Sequence, residues 1–284
     1  MINQFTIKQH TIRLARQLAP VAGESAAFEA RQLVMAATGL DIAGLLFEGD
    51  SPLATEAEAR LARMARERMD GRPLQYILGE WEFMGLALTA DERALIPRQD
   101  TETLCEHALA LSKARGYHAC LDLCCGSGCI GIALARLGGL KADFSDISPA
   151  ALSLARENAA RHNVEGRFYE SDLFSAVPGK YDLIACNPPY LTRAQMETRQ
   201  RELLAEPENA LFGGEDGLDL YHRIAGEYRA WLNTGGTLLL EVGAGQAEAV
   251  EGLLRANADT PVETRRIRDL NGIERVVTAR PCQS

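Results

Sequence analysis

Apolar positions recur at helical spacing through the first quarter of the chain and gather into short strand-like runs through the rest. From Ser25, which can cap a helix, Phe28, Leu33, Val34 and Ala37 fall at helical intervals, and Gly39 ends the segment. Asp41 is placed to cap a short helix through Leu46, and Thr55 opens another whose Leu61, Met64, Ala65 and Met69 share a face. Residues 1–75 therefore read as a small helical domain that holds a partner. In residues 76–98, Gly79 and Gly85 punctuate Tyr76-Ile77-Leu78 and Leu86-Ala87-Leu88, the pattern of a β-hairpin linking two domains. Over residues 99–284, expected strands at 119–124, 141–146, 166–170, 181–186 and 235–242 alternate with helical stretches. That alternation implies parallel βαβ units in a doubly wound α/β sheet. Val262–Ile267 and Ile273–Ala279 flank Asn271-Gly272, a hairpin signal, so the sheet should finish in an antiparallel pair.

Composition narrows the partners. With 46% hydrophobic and 24% charged residues over 284 positions, the chain is an ordinary globular one. A net charge of −9 and the lack of a long Lys/Arg cluster argue against sequence-independent nucleic-acid binding. The N-terminal segment lacks a signal-type apolar core, and no run approaches the roughly 18 apolar residues of a membrane span. A cytoplasmic protein with no membrane partner is the expectation. Seven cysteines include the crowded Cys124, Cys125 and Cys129, but no second pair with ligand spacing follows. Small buried thiols and no metal are expected there.

Two segments carry the chemistry. Leu121-Asp122-Leu123-Cys124-Cys125-Gly126-Ser127-Gly128-Cys129-Ile130-Gly131 is a strand running into a glycine-rich turn and a helix. Such glycines let backbone approach a nucleotide-like ligand closely, and Asp146, ending the next strand, can accept both ribose hydroxyls. Nicotinamide, flavin and S-adenosylmethionine sites share this arrangement. The antiparallel sheet ending is unusual for nicotinamide domains and usual for methyltransferases. Asp122 as an anion for the methionine ammonium, Asp172 toward an adenine amine, and Leu173 or Phe174 as an apolar wall also lean toward S-adenosylmethionine.

The sharper segment is Tyr181-Asp182-Leu183-Ile184-Ala185-Cys186-Asn187-Pro188-Pro189-Tyr190, an apolar strand stopped by two prolines. Pro188 and Pro189 have no N–H, so the loop presents carbonyl oxygens without competing donors. The Asn187 side-chain oxygen and a proline carbonyl can grip both hydrogens of an –NH2 group, while Tyr190 stacks on the planar group bearing it. An amide or aryl-amine nitrogen is a poor nucleophile because its lone pair is delocalised. Two such acceptors stabilise the charge that develops as a methyl group arrives, by about 3 kcal/mol per contact. Alignment with the sulfonium methyl supplies roughly 7–11 kcal/mol more. The residues alone leave a glutamine amide and an exocyclic adenine amine both open; the acidic charge disfavours the nucleic acid.

Beyond these segments, the chain has Gly71-Arg72-Pro73-Leu74-Gln75-Tyr76-Ile77-Leu78-Gly79, Phe83-Met84-Gly85-Leu86 and Ile96-Pro97-Arg98-Gln99-Asp100-Thr101-Glu102. It also has Asp146-Ile147-Ser148-Pro149, Glu206-Pro207, Ala210-Leu211-Phe212-Gly213-Gly214 and Asp216-Gly217-Leu218. With Asn187-Pro188-Pro189-Tyr190, this set resembles the HemK/PrmC family of N5-glutamine methyltransferases across nearly the whole chain. The resemblance implies a class I S-adenosylmethionine-dependent fold: a Rossmann-like, mostly parallel seven-stranded sheet ending in an antiparallel hairpin, with an N-terminal helical domain that recognises substrate. It implies methyl transfer to the glutamine of Gly-Gly-Gln in peptide chain release factors; a monomer with no direct nucleic-acid partner is expected beside it. Its cofactor contacts would be Cys124, Cys125, Gly126, Ser127, Gly128, Asp146, Leu173 and Asn187, to which the reading of the residues adds Asp122 and Asp172. The substrate amide would meet Asn187, Pro188, Pro189 and Tyr190. The chain departs from the family at Gln99, usually Pro, at Cys124-Cys125, usually Gly-Thr, and at Leu173, often aromatic. A sister branch methylates a ribosomal-protein glutamine; Asp100-Thr101-Glu102 and Phe212-Gly213-Gly214 favour the release-factor branch.

Overall fold

The computed structural model describes residues 5–198, 201–257 and 260–282. The chain divides into two compact units, one running to Gly79 and including residues 201–205, the other formed by the rest from Glu80 on.

The first unit is helical: α1 (Ile7–Ala22), α2 (Ala26–Thr38), α3 (Ile42–Glu48), α4 (Thr55–Met69) and α5 (Leu74–Leu78). A reciprocal capping box starts α1, with Thr6 and Gln9 each receiving the other's backbone N–H. Asp41 caps α3 by accepting the Gly44 N–H at 2.7 Å, as expected. Ser25 does not cap α2; its hydroxyl donates to the Ala22 carbonyl and to Glu29. The buried face of α2 is Ala26, Glu29, Ala30, Leu33, Val34 and Ala37, whereas Phe28 is 45% exposed. Phe28 lies five residues before Leu33, about 140° round the helix, so it cannot share that face. Glu29 tolerates burial because Arg68 of α4 donates Nε to Oε2 at 2.6 Å and a second nitrogen to Oε1 at 3.2 Å.

Tyr76-Ile77-Leu78, expected as a strand, is the single helical turn α5. It closes by bonds from Ile77 N–H to Pro73 O and from Gly79 N–H to Gln75 O, and Gly79 ends it in a left-handed conformation. The hairpin begins only after Gly79, as β1 (Glu80–Phe83) and β2 (Leu86–Thr89), within the second unit. Met84 and Gly85 both take positive φ, 50° and 77°, which suits the tight two-residue turn between them.

The second unit continues with α6 (Gln99–Arg115), β3 (Ala119–Leu123), α7 (Cys129–Gly138), β4 (Lys141–Asp146), α8 (Pro149–Arg161), β5 (Phe168–Glu170) and β6 (Tyr181–Cys186). It finishes with α9 (Arg193–Glu197), α10 (Asp219–Glu227), β7 (Leu232–Glu241), α11 (Ala247–Ala256), β8 (Val262–Arg268) and β9 (Glu274–Pro281). The seven-stranded sheet has the order β5-β4-β3-β6-β7-β9-β8. The first five run parallel, and β9 is antiparallel to both β7 and β8. Alternate residues of each strand feed two cores. Cys120, Leu183, Ala185 and Leu239 pack with α6, α7 and α8; Leu121, Ile184, Leu238 and Leu240 pack with α10 and α11.

Connections leave β3 toward β4 on one side and return to β6 on the other, so the chain reverses direction across the sheet between β3 and β6. Ligands in open α/β sheets bind at the carboxyl ends of strands at such a point. The buried Asn158 of α8 braces this end. Its Oδ1 accepts the Thr89 N–H at 2.7 Å, and its Nδ2 donates to the carbonyls of Thr89 at 3.2 Å and Ser127 at 3.1 Å. Among the described residues no single helix is long and apolar enough to cross a membrane.

Candidate active site

A cavity of about 1110 Å³ opens over the carboxyl ends of β3, β4 and β6. Of the residues expected from sequence, Cys124, Cys125, Gly126, Ser127, Asp146, Asp172, Leu173, Asn187 and Pro189 line it. Asp122, Gly128, Pro188 and Tyr190 do not.

The floor is the turn after β3. Gly128 has φ 79°, and a Cβ there would lie 3.1 Å from that of Ala155. At Gly131 a Cβ would lie 2.4 Å from Phe144 Cε1 and 3.0 Å from Asp122 Cβ, so α7 can sit this close to β3 and β4 only without a side chain. Asp122 is fully buried, and its Oδ2 accepts the Gly131 N–H at 2.7 Å. That bond holds the start of α7, while the other carboxyl oxygen, Oδ1, is buried without a hydrogen-bond partner among the described residues; Asp122, the expected partner of an ammonium, lies behind the wall rather than on it. Burial pushes its pKa well up, against the Gly131 hydrogen bond that lowers it. Cys124 and Leu173, both on the wall, take left-handed φ of 57° and 50°. Such backbone costs about 1–3 kcal/mol per residue and gathers at functional sites.

Asp146 ends β4 with one oxygen accepting the Gly126 N–H at 2.8 Å and the other the Ser148 N–H at 2.9 Å. Desolvation raises its pKa while those bonds lower it. Beside it Ile147 is 58% exposed, an apolar side chain held on the wall. Leu173 is a buried wall residue, while Phe174 turns away and stacks on Trp231 at 4.8 Å. Asp172, expected to meet an adenine amine, is half-exposed and ion-paired with Arg223 of α10 at 2.9 Å.

Asn187 follows β6. Its Nδ2 donates to the Thr101 hydroxyl of α6 at 3.2 Å, and its Oδ1 is buried with no hydrogen-bond partner among the described residues. Behind them Glu241 ends β7, 1% exposed. Burial pushes the Glu241 pKa up to about 7, although hydrogen bonding from Thr101 and Asn187 holds it down. Tyr190 packs its half-buried ring against the core under α10 and α11, and burial raises its pKa to about 12. Its carbonyl receives Gln246 Nε2 at 3.1 Å, while Gln246 Oε1 accepts the Gly243 N–H. Residues 93–98, 207–210 and 212–214 also line the cavity. Glu206 joins these segments, accepting the Ile96 N–H at 3.0 Å and pairing with Arg98.

Ile147, Thr101 and Glu241 were not foreseen as parts of this site. A sequence signal existed for Glu241, a carboxylate closing the apolar run Thr237-Leu238-Leu239-Leu240.

Comparison with known proteins agrees with this geometry. A family model described as Methyltransferase small domain matches residues 101–218, and one described as PrmC N-terminal domain matches residues 11–79. The release factor glutamine methyltransferase of Geobacter sulfurreducens is 41% identical over 93% of this chain and 92% of its own length. That of Deinococcus radiodurans is 38% identical over 96% of each chain. A methyltransferase structure from Pyrococcus furiosus shares the fold at a TM-score of 0.52, covering 77% of this chain and 98% of that one at 16% identity. With both end-to-end relatives and both domain matches on one lineage, and the cavity where a methyl donor's sheet would carry it, the chain belongs to the release factor glutamine methyltransferase family.

Proposed function

We propose that this chain transfers the methyl group of S-adenosylmethionine to the side-chain amide nitrogen (N5) of the glutamine in the Gly-Gly-Gln motif of peptide chain release factors. The observation that carries the reading is Asn187 Oδ1, a buried acceptor without a partner in a side chain that lines the cavity. A buried oxygen left unsatisfied is costly unless a ligand supplies the donor. The two hydrogens of a glutamine amide fit Asn187 Oδ1 and a proline carbonyl of the same loop, where Pro189 lines the cavity and the prolines contribute no competing N–H.

The residues present also fit the cofactor, which supplies an electrophilic methyl group on sulfur when bound. Each Asp146 oxygen accepts one backbone N–H and keeps a lone pair for a ribose hydroxyl. Ile147 and Leu173 offer apolar wall to an adenine ring, and residues 124–127 offer backbone at close range. Asn187 Oδ1 and that proline carbonyl draw the substrate nitrogen toward tetrahedral geometry and stabilise the positive charge that develops on it. The excess proton leaves the methylated nitrogen afterward, so no base is needed before transfer. Tyr190 acts by fixing the loop, held by Gln246 and by its packed ring. The helical unit ending at Gly79 recognises the release factor, and the enzyme works as a cytoplasmic monomer.

Tritiated S-adenosylmethionine incubated with this protein and purified release factor should label the Gly-Gly-Gln peptide. Label on a ribosomal protein and none on the factor would overturn the assignment in favour of the sister branch.

A further inference from the structure

An asparagine amide has a donor end and an acceptor end of nearly the same shape, so its orientation is decided by what lies behind it. Behind Asn187 lie Thr101 of α6 and Glu241 of β7, each 1% exposed. The Thr101 hydroxyl oxygen accepts from Asn187 Nδ2 at 3.2 Å, and its own hydrogen then needs an acceptor. On the neighbouring strand, where Leu240 pairs with Cys186, the Glu241 carboxyl brings a buried acceptor beside both side chains. Among the described residues Glu241 Oε2 is buried with no hydrogen-bond partner, an acceptor open to both donors. In the reversed amide, Asn187 Oδ1 would face a carboxylate and a hydroxyl oxygen, and –NH2 would face the substrate's own –NH2.

We infer that Glu241, acting with Thr101, is a positioning residue that holds both Nδ2 hydrogens of Asn187 at the back of the site and thereby commits Oδ1 to the substrate amide. The inference rests on the proposed function for what Oδ1 receives, but the orientation itself does not. The carboxyl is deprotonated above about pH 7 and can then only accept; below that it carries a proton and can donate, which weakens the lock. Other groups facing it are Asp100 on α6, Arg275 on β9 and Tyr190 in the loop after β6. Tyr221 on α10 donates its hydroxyl to the Glu241 main-chain oxygen at 2.7 Å, and the thiols of Cys105 and Cys129 lie within its field.

The test compares wild type with Glu241→Gln, Thr101→Val and Thr101→Ser. With whole release factor as substrate, Glu241→Gln and Thr101→Val should lower kcat at least about tenfold, with KM and the Kd for S-adenosylhomocysteine within about twofold of wild type. Thr101→Ser, which keeps the hydroxyl, should restore most of kcat. The acid limb of the wild-type kcat profile, with a midpoint near 7, should vanish in Glu241→Gln. Independently of any substrate, the Asn187 side-chain amide signals in a ¹⁵N NMR titration should move with that same midpoint in wild type and stay still in Glu241→Gln. An unmoved amide signal in wild type, or kcat within twofold in both Glu241→Gln and Thr101→Val, overturns the inference. A titrating amide in a wild-type protein that leaves release factor unlabelled would sink the functional reading and keep the positioning role.

Discussion

Burying the Glu241 carboxyl should make the stability of the second unit depend on pH in a way one substitution can isolate. The folded-state pKa stands at about 7 against an ordinary value of 4.5, with burial as the leading cause. A displacement of that size corresponds to about 3 kcal/mol between the two protonation states. Because the folded chain binds this proton more tightly than the unfolded one, the contribution is fully favourable below about pH 4.5. It declines as pH rises and is lost above about 7. Glutamine has similar shape and does not titrate. The stability of Glu241→Gln minus that of wild type should therefore rise by about 2.5 kcal/mol between pH 5 and pH 8.5, whatever the constant offset from altered hydrogen bonds. Urea melts followed by tryptophan fluorescence suit the measurement, since Trp81 and Trp231 both belong to the second unit. A difference flat within about 0.5 kcal/mol over that range, or one that falls, would refute the claim that burial sets this carboxyl's proton affinity.

Replacing Asn187 by Ala should lower kcat about 100- to 1000-fold, while affinity for S-adenosylhomocysteine by calorimetry changes little; equal loss of both would mean the side chain serves the cofactor. Gly131→Ala places a methyl 2.4 Å from Phe144 Cε1, and the crowding should cost about 1–3 kcal/mol in urea melts, with weaker cofactor binding. Unchanged stability would mean that α7 can move away from the sheet freely. Removing the Arg68 side chain leaves Glu29 buried without this partner, and Arg68→Ala should destabilise the helical unit by about 3–5 kcal/mol. Hydrogen exchange of α2 and α4 would register that, and unaltered protection would contradict it.

What could be read from sequence was whatever the chain spells out contiguously. The strand Tyr181–Cys186 and the prolines after it form one uninterrupted signal, and so does the glycine-rich turn after Leu123. Their meeting across a cavity follows from neighbouring strand positions, with Leu123 paired to Cys186. The network behind Asn187 was not legible because Thr101 and Glu241 come from elements far apart in the chain. Tyr76-Ile77-Leu78 looked like strand because β-prone residues were weighed without the helical turn that Pro73 and Gly79 bracket. The ion pair of Asp172 was not legible for a similar reason: its neighbours in sequence say nothing of Arg223, which reaches it from α10. The stripe drawn through Phe28 failed on angle alone.

Asn158 has a consequence for what substitutions the chain can accept. Its amide answers one backbone donor and two backbone acceptors at once, those of Thr89 at the end of β2 and Ser127 in the turn over β3. Aspartate would offer only acceptors and set a carboxylate against two carbonyls; leucine would leave all three groups unanswered in the dry interior. Glutamine would push an extra methylene into filled space. Position 158 thus ties the aim of the hairpin to the shape of the glycine turn, so that a change in one is felt by the other.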